Sequence, residues 1–198
     1  MIYRNYQHNT TSVRKSSIFL LFLTIALALL LSFSFMTIKA SAASTSNGTN
    51  LSDWDYTDNG DGTITIKKYK GTSDDVVIPG KLDGKQVVIE CQMGGLQGTS
   101  QDFNLNDCRS LTFKKVDNTK VQWGNDSRSG AKDTDDMNQA FHYLKELEKI
   151  DLSGLEYSNV TDMGMMFNHC DKLTTVTGLD TSNVKIFSSM FAHIKSEK

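Results

Sequence analysis

Three short apolar stripes in the last third of the chain constrain its fold more than any other feature. Met137, Ala140, Phe141 and Leu144 are spaced i, i+3, i+4, i+7. The same spacing recurs at Met163, Met166, Phe167 and Cys170, and again at Phe187, Met190, Phe191 and Ile194. It predicts one apolar face on each of three short helices. Asp136 and Asp162 stand just before the first two stripes, where a carboxylate can cap free amides; Ile186 stands before the third. Leu147, Ile150, Leu152 and Leu155 follow the first stripe, and Leu173, Val176 and Leu179 follow the second. Ile150 and Leu152 share one face of an expected short strand.

The stripes repeat with a measurable period. Phe141 to Phe167 is 26 residues and Phe167 to Phe191 is 24. The missing pair falls between Val176 and Leu179, and an even-numbered deletion keeps the strand faces in phase. A period of this size lies in the leucine-rich-repeat range, and such a unit buries its stripe only by stacking on a copy of itself. The expected fold class is therefore α/β. It is a short leucine-rich-repeat solenoid with one strand and one short helix per repeat. A small β-rich region and an N-terminal apolar signal helix precede it. A worn copy is expected at Asn106-Asp107-Cys108-Arg109-Ser110-Leu111-Thr112, which parallels Asn168-His169-Cys170-Asp171-Lys172-Leu173-Thr174.

Five segments are expected: a secretory signal peptide at 1–42, a polar linker at 43–50, a β-rich lead-in at 51–90, an irregular region at 91–136, and repeats at 137–198. The first carries four basic residues and no acidic one, and an apolar run at 18–36. Small residues at Ala40, Ala42 and Ala43 mark a cleavage site, so the pattern directs export. If the segment stays uncleaved, it is the chain's one expected link to a membrane. From Ala43 onward the chain has 17 basic and 23 acidic residues, a net charge of −6. That balance argues against a nucleic-acid partner, which needs a basic face.

In the lead-in, Trp54 to Tyr69 reads as a hairpin around Asn59-Gly60-Asp61-Gly62, with Ile64, Ile66 and Lys68 on one face. Two further short strands, 76–79 and 86–90, complete one small sheet. Asp58 to Gly62 resembles half of a calcium loop, but Tyr69 stands where a bidentate Glu is needed, so it reads as a turn. Cys108 and Cys170 read as small buried hydrophobes, and a Cys91–Cys108 disulfide is left open. His142, His169 and His193 read as solvent-facing and out of alignment. The methionines read as core fillers rather than ligands. No catalytic residue, metal site or cofactor is expected.

Several of these positions together resemble a known family. Met163-Gly164-Met165-Met166-Phe167-Asn168-His169-Cys170-Asp171-Lys172-Leu173, then Leu179-Asp180-Thr181-Ser182-Asn183-Val184, is similar to the bacterial surface protein 26-residue repeat of BspA-like leucine-rich-repeat proteins. The resemblance spans Met137 to Phe191 strongly and Trp54 to Ile89 weakly. It implies an exported, surface-displayed protein, usually Gram-positive, that adheres to host proteins or cells without catalysis. The chain departs from the family in having little more than two repeats. It reaches Lys198 with no capping repeat and no LPxTG-like motif, so a truncated N-terminal fragment is the first alternative expectation. An exported enzyme with an unrecognised site is the second. The expected repeat core is Met137, Ala140, Phe141, Leu144, Leu147, Ile150, Leu152, Leu155, Met163, Met166, Phe167, Cys170, Leu173, Val176, Leu179, Phe187, Met190 and Phe191. The expected partner-binding residues are Lys149, Asp151, Ser153, Thr175 and Thr177, which alternate with apolar strand positions. The expected partner is an extracellular protein or cell-surface ligand.

Overall fold

A computed structural model describes residues 46–89, 93–94, 103–124 and 136–195. The expected signal helix, its cleavage site, Cys91 and most of the polar insertion near 125–135 lie outside these residues. Among the described residues there are ten strands: β1 (Trp54–Asp58), β2 (Thr63–Tyr69), β3 (Asp75–Pro79), β4 (Lys81–Leu82), β5 (Lys85–Ile89), β6 (Ser110–Lys114), β7 (Val121–Trp123), β8 (Lys149–Asp151), β9 (Leu155–Glu156) and β10 (Thr175–Thr177). They form two sheets. Sheet A runs β1-β2-β5-β7-β9, with β4 beside β5, and sheet B runs β10-β8-β6-β3. β1–β2 and β4–β5 pair antiparallel, and the other pairs are parallel.

Chain order explains this layout. From β2 onward, apart from the short β4 that folds back on β5, the chain alternates between the sheets and lays each new strand beside the previous one in the same sheet. The described residues form a stack of coils, each giving one strand to sheet A and one to sheet B until the last, which gives only β10 to sheet B. The lead-in strands therefore do not form one small sheet as expected. β1, β2 and β5 enter sheet A, while β3 enters sheet B. In the hairpin the pairing shifts between Asp55 and Tyr56, which face Lys68 and Ile66. That bulge leaves Lys68 exposed and turns Tyr69 into the core in its place. Residues 46–50, the described part of the polar stretch, are bonded into the body: the Val77 amide donates to the Asn47 carbonyl, and Trp54 Nε1 donates to the Gly48 carbonyl.

The strand-plus-helix solenoid is overturned. Among the described residues there is no α-helix, only a three-residue 3-10 turn at Leu51–Asp53. Each expected helix is a run of overlapping turns. In the first run, the Ala140 amide donates to the Met137 carbonyl and the His142 amide to Gln139. The amides of Met137, Gln139, Phe141 and Tyr143 instead reach the next coil, donating to the carbonyls of Asp162, Gly164, Met166 and Asn168. The second run repeats this, with Met163, Met165, Phe167 and His169 donating to Ile186, Ser188, Met190 and Ala192.

Every fourth residue of a run has left-handed backbone: Gln139 and Tyr143, Met165 and His169, then Ser189 and His193, with φ between 52° and 63°. Such residues cost about 1–2 kcal/mol each when isolated. The coil-to-coil amide bonds offset that cost. Asp136 and Asp162 do not cap helices. Their Oδ1 atoms accept from the amides two residues on, Asn138 at 2.5 Å and Gly164 at 2.7 Å, and open the turn runs.

One core runs the length of the coils. Phe113, Phe141 and Phe167 are fully buried within it, and Phe141 stacks on Phe167 at 5.6 Å. The shortened coil is closed by two devices. Gly178, at φ +66°, lies so near the neighbouring chain that an added Cβ would come 2.4 Å from the Ser153 nitrogen. Tyr157 then bridges the cut corner: its hydroxyl donates to the Gly178 carbonyl at 2.8 Å and accepts the Asp180 amide at 2.7 Å. β10 survives in sheet B, and among the described residues sheet A gains no strand beyond β9.

The worn upstream copy is also shifted. Ser110 pairs with Lys149, which pairs with Thr175. Continuing that register places Cys108 with Leu147 and Leu173, three residues from its expected match at Cys170.

Candidate interaction surface

The outward face of sheet B brings four of the five expected partner-binding residues together. In-register parallel pairing puts Asp75, Ser110, Lys149 and Thr175 in one row and Val77, Thr112, Asp151 and Thr177 in the next. Between these rows, Val76, Leu111 and Ile150 point into the core. Ser153 lies just beyond β8, exposed, with its amide bonded to Asp151 Oδ1 at 2.9 Å. Lys149, Thr175 and Thr177 are exposed, while Asp151 is half-buried. Partial burial pushes the Asp151 carboxyl up. Hydrogen bonds from the Ser153 amide and from the Ser153 and Thr177 hydroxyls outweigh it and hold the group below the usual carboxylate range. The face is mixed in charge and rich in hydroxyls, which suits a hydrogen-bonding partner.

Ion pairs between coils fix the register beside this face. Arg109 Nη2 lies 2.8 Å from Glu148, and Arg109 Nη1 lies 3.8 Å from Asp74. Lys172 pairs with Glu146, and Lys195 with Asp171 at 3.4 Å. A groove of about 590 Å³ runs over this flank, lined by Lys145, Glu146, Glu148, Asp171, Lys172 and Lys195 among others. A smaller polar pocket of about 100 Å³ sits beside β9 against Lys120, Glu156, Tyr157 and Asp180. In the groove, the exposed pairs hold alignment rather than much free energy.

The turn runs carry a feature that sequence reading missed. Tyr143, His169 and His193 form a stacked column, with centroid distances of 4.5 Å and 4.1 Å. The signal was present: Tyr143, His169 and His193 are spaced by the repeat period, whereas His142 sits one position early. His142 instead meets Tyr143 edge-on and bonds the Gln139 carbonyl through Nδ1. Burial lowers its basicity, against the raising effect of that carbonyl, and His169 nearby lowers it further. The lone pairs of parallel stacked imidazoles run side by side, so His169 and His193 do not converge on one ion. Among the described residues no group of three His, Cys, Asp or Glu is placed to hold a metal.

The expected repeat-core residues fall into two sets. Those of the first two stripes are buried, as are Leu147, Ile150, Leu152, Leu155, Leu173 and Met190. Val176, Leu179 and Ile194 are partly buried, whereas Phe187 and Phe191 are 45% and 46% exposed. The reason is position: both lie in the third run, and no coil among the described residues covers its outer side. Cys108 and Cys170 are buried free thiols whose Sγ atoms donate to the Ser110 and Phe141 carbonyls. Burial pushes both up to about 12, so neither presents a reactive thiolate.

Comparison with known proteins adds one similarity. Residues 108–197 match the family model described as "Mycoplasma protein of unknown function, DUF285". That description assigns no activity. No curated protein and no solved structure matches the chain.

Proposed function

We propose that this chain is an exported, non-catalytic binding protein that presents the outer face of sheet B to an extracellular protein or cell-surface ligand. The observation that carries the reading is the in-register grid of Ser110, Thr112, Lys149, Asp151, Thr175 and Thr177. Side chains on adjacent parallel strands are held at fixed spacing, so a partner meets a preorganised set of donors and acceptors. The basic, apolar head supports export. The resemblance of the repeat to BspA-like surface proteins supports adhesion as the use of the face. Ionic locking between coils supports rigidity, which lowers the entropy lost on docking.

The test is saturable binding of the purified exported chain to cells and to immobilised matrix proteins. A Lys149→Glu, Thr175→Glu double variant should bind at least tenfold more weakly with an unchanged melting temperature. A folded wild-type chain that binds none of them, or a variant that binds equally well, would sink the proposal. Hydrolysis of a polymer substrate by the same preparation, lost on changing one acidic residue, would replace it with an enzymatic reading.

A further inference from the structure

We propose that Met165 is an oxidation site: a hydroperoxide converts its thioether to the sulfoxide, and the fold keeps the product because the Gln139 side-chain amide is placed to donate to the new oxygen. This site belongs to the turn runs and is separate from the outer face of sheet B.

Access to the sulfur comes first. Met93, Met137, Met163, Met166 and Met190 are at most 5% exposed, whereas Met165 is 39% exposed. The difference follows from the backbone. Met163, Met166 and Phe167 of the second run turn into the core, and left-handed Met165, at φ 52°, turns outward between them. Coils lie on both sides of it. Its amide donates to the Ser188 carbonyl of the third run at 2.8 Å, and its sulfur accepts from Gln139 of the first run. Its exposure is therefore that of the outward face of the turns, with a neighbouring run on either side.

The group beside the sulfur is the second observation. Gln139 and Met165 hold equivalent places in successive runs, and both are left-handed. Gln139 Nε2 donates to Met165 Sδ at 3.7 Å. A thioether is a weak acceptor, and oxidation makes the group polar and gives it an oxygen that accepts far better. At a buried methionine the same change would put that polar group into the core and disrupt its packing. At Met165 it meets a donor already in place, with water on the outward side. Sulfoxide formation there exchanges a weak coil-to-coil contact for a stronger one.

The step balances with a hydroperoxide alone. The sulfur lone pair attacks one peroxide oxygen, so an S–O bond forms and the O–O bond breaks. Sulfur is oxidised by two electrons and the peroxide is reduced. With hydrogen peroxide, the transferred oxygen gives up its proton, and the departing hydroxide takes one up and leaves as water. A surface thioether that reacts first consumes oxidant without loss of the fold, which makes Met165 a sacrificial position for the core sulfurs.

The test treats the full chain with dilute hydrogen peroxide and locates the added oxygen by tandem mass spectrometry of its peptides. Met165 should gain oxygen at least tenfold faster than Met163 and Met166, and unfolding in guanidinium should erase the difference. The oxidised chain should melt at or above the temperature of the untreated one. Gln139→Glu keeps the shape of the side chain but offers the sulfoxide an acceptor in place of a donor. The same treatment should lower the melting temperature of that variant, whose fold is checked beforehand by circular dichroism. Equal rates at the three methionines of the folded chain overturn the inference. So does a lower melting temperature for the oxidised wild type, or an equal shift in wild type and Gln139→Glu. The mapping needs no variant, so it decides the site even if Gln139→Glu fails to fold. Neither measurement reads partner binding, so failure of the sheet B proposal leaves this site standing.

Discussion

His169 and His193 lie face to face at 4.1 Å, with ring planes 1° apart. Rings stacked at that distance touch over their whole faces and tie the second run of turns to the third. His142, in the first run of turns, is the acid-sensitive neighbour of this column. Burial lowers its folded basicity below the ordinary value of 6.5, so the unfolded chain binds its proton first. Stability from His142 is full above pH 6.5 and is lost as pH falls through the window beneath it. Melting temperature should therefore drop between pH 7.5 and 5.5. The His142→Phe variant should drop less, because that ring no longer takes up a proton on unfolding. Equal drops in both proteins would remove His142 from the explanation.

The stacked column also shows what could be read from the residues and what could not. The spacing of Met137, Ala140, Phe141 and Leu144 indicates which side chains are buried, and all four are. It does not indicate the backbone. A helix and a run of turns with a left-handed residue every fourth place bury the same positions. Local preference favours the helix, because Gln139, Met165 and Ser189 rarely adopt positive φ. The deciding term is non-local: amides that reach the next coil at every second residue. The division of the lead-in strands between two sheets was hidden for the same reason. Alternating side chains identify a strand but not its neighbour. The outward grid of sheet B was partly legible, because alternation alone places Lys149 and Asp151 outward. Its rows needed the pairing register.

Acid should also loosen the corners of the coils. Asp58, Asp61, Asp180 and Glu156 each accept hydrogen bonds from nearby turn amides or hydroxyls. Their partners, chiefly Lys85 for Asp58, Thr63 for Asp61, Ser182 for Asp180 and Ser158 for Glu156, hold them below their usual values of 3.8 and 4.5. A carboxyl with a lowered folded value stabilises the fold above its ordinary value. That stability disappears as pH falls through the folded one. Unfolding followed by circular dichroism should show a second loss of stability below pH 4.5. Replacing Asp180 with Ser should shrink that acid-dependent part, and an unchanged acid limb would rule out these corners.

The middle and the outer end of the inner aromatic column should respond differently to truncation. Phe167 is fully buried between Phe141 and Phe191, so Phe167→Ala removes a packed ring and leaves a cavity, at a cost of about 3–5 kcal/mol. Phe191 is 46% exposed and stacks on one side only, so Phe191→Ala should cost about 1 kcal/mol. Urea denaturation of the two variants checks the ordering. Similar losses would mean that the outer side of Phe191 is covered in solution.

Tyr157 offers a test of how the shortened coil is held. Its hydroxyl is a donor to the Gly178 carbonyl and an acceptor for the Asp180 amide, where two residues are missing relative to the preceding repeat. Tyr157→Phe keeps the packed ring and leaves both backbone groups without that partner. The cost should be about 0.5–1.5 kcal/mol, the net worth of an ordinary hydrogen bond, because Gly178 and Asp180 are exposed enough for water to replace the phenol. Gly178→Ala strikes the same corner from the other side. It puts a Cβ at positive φ and against the Ser153 nitrogen, so it should destabilise by a similar amount. Because both changes break one junction, their effects should fall short of additive in the double variant. Full additivity in urea denaturation would show that the phenol bridge and the glycine approach act independently, and that the corner is not a single device.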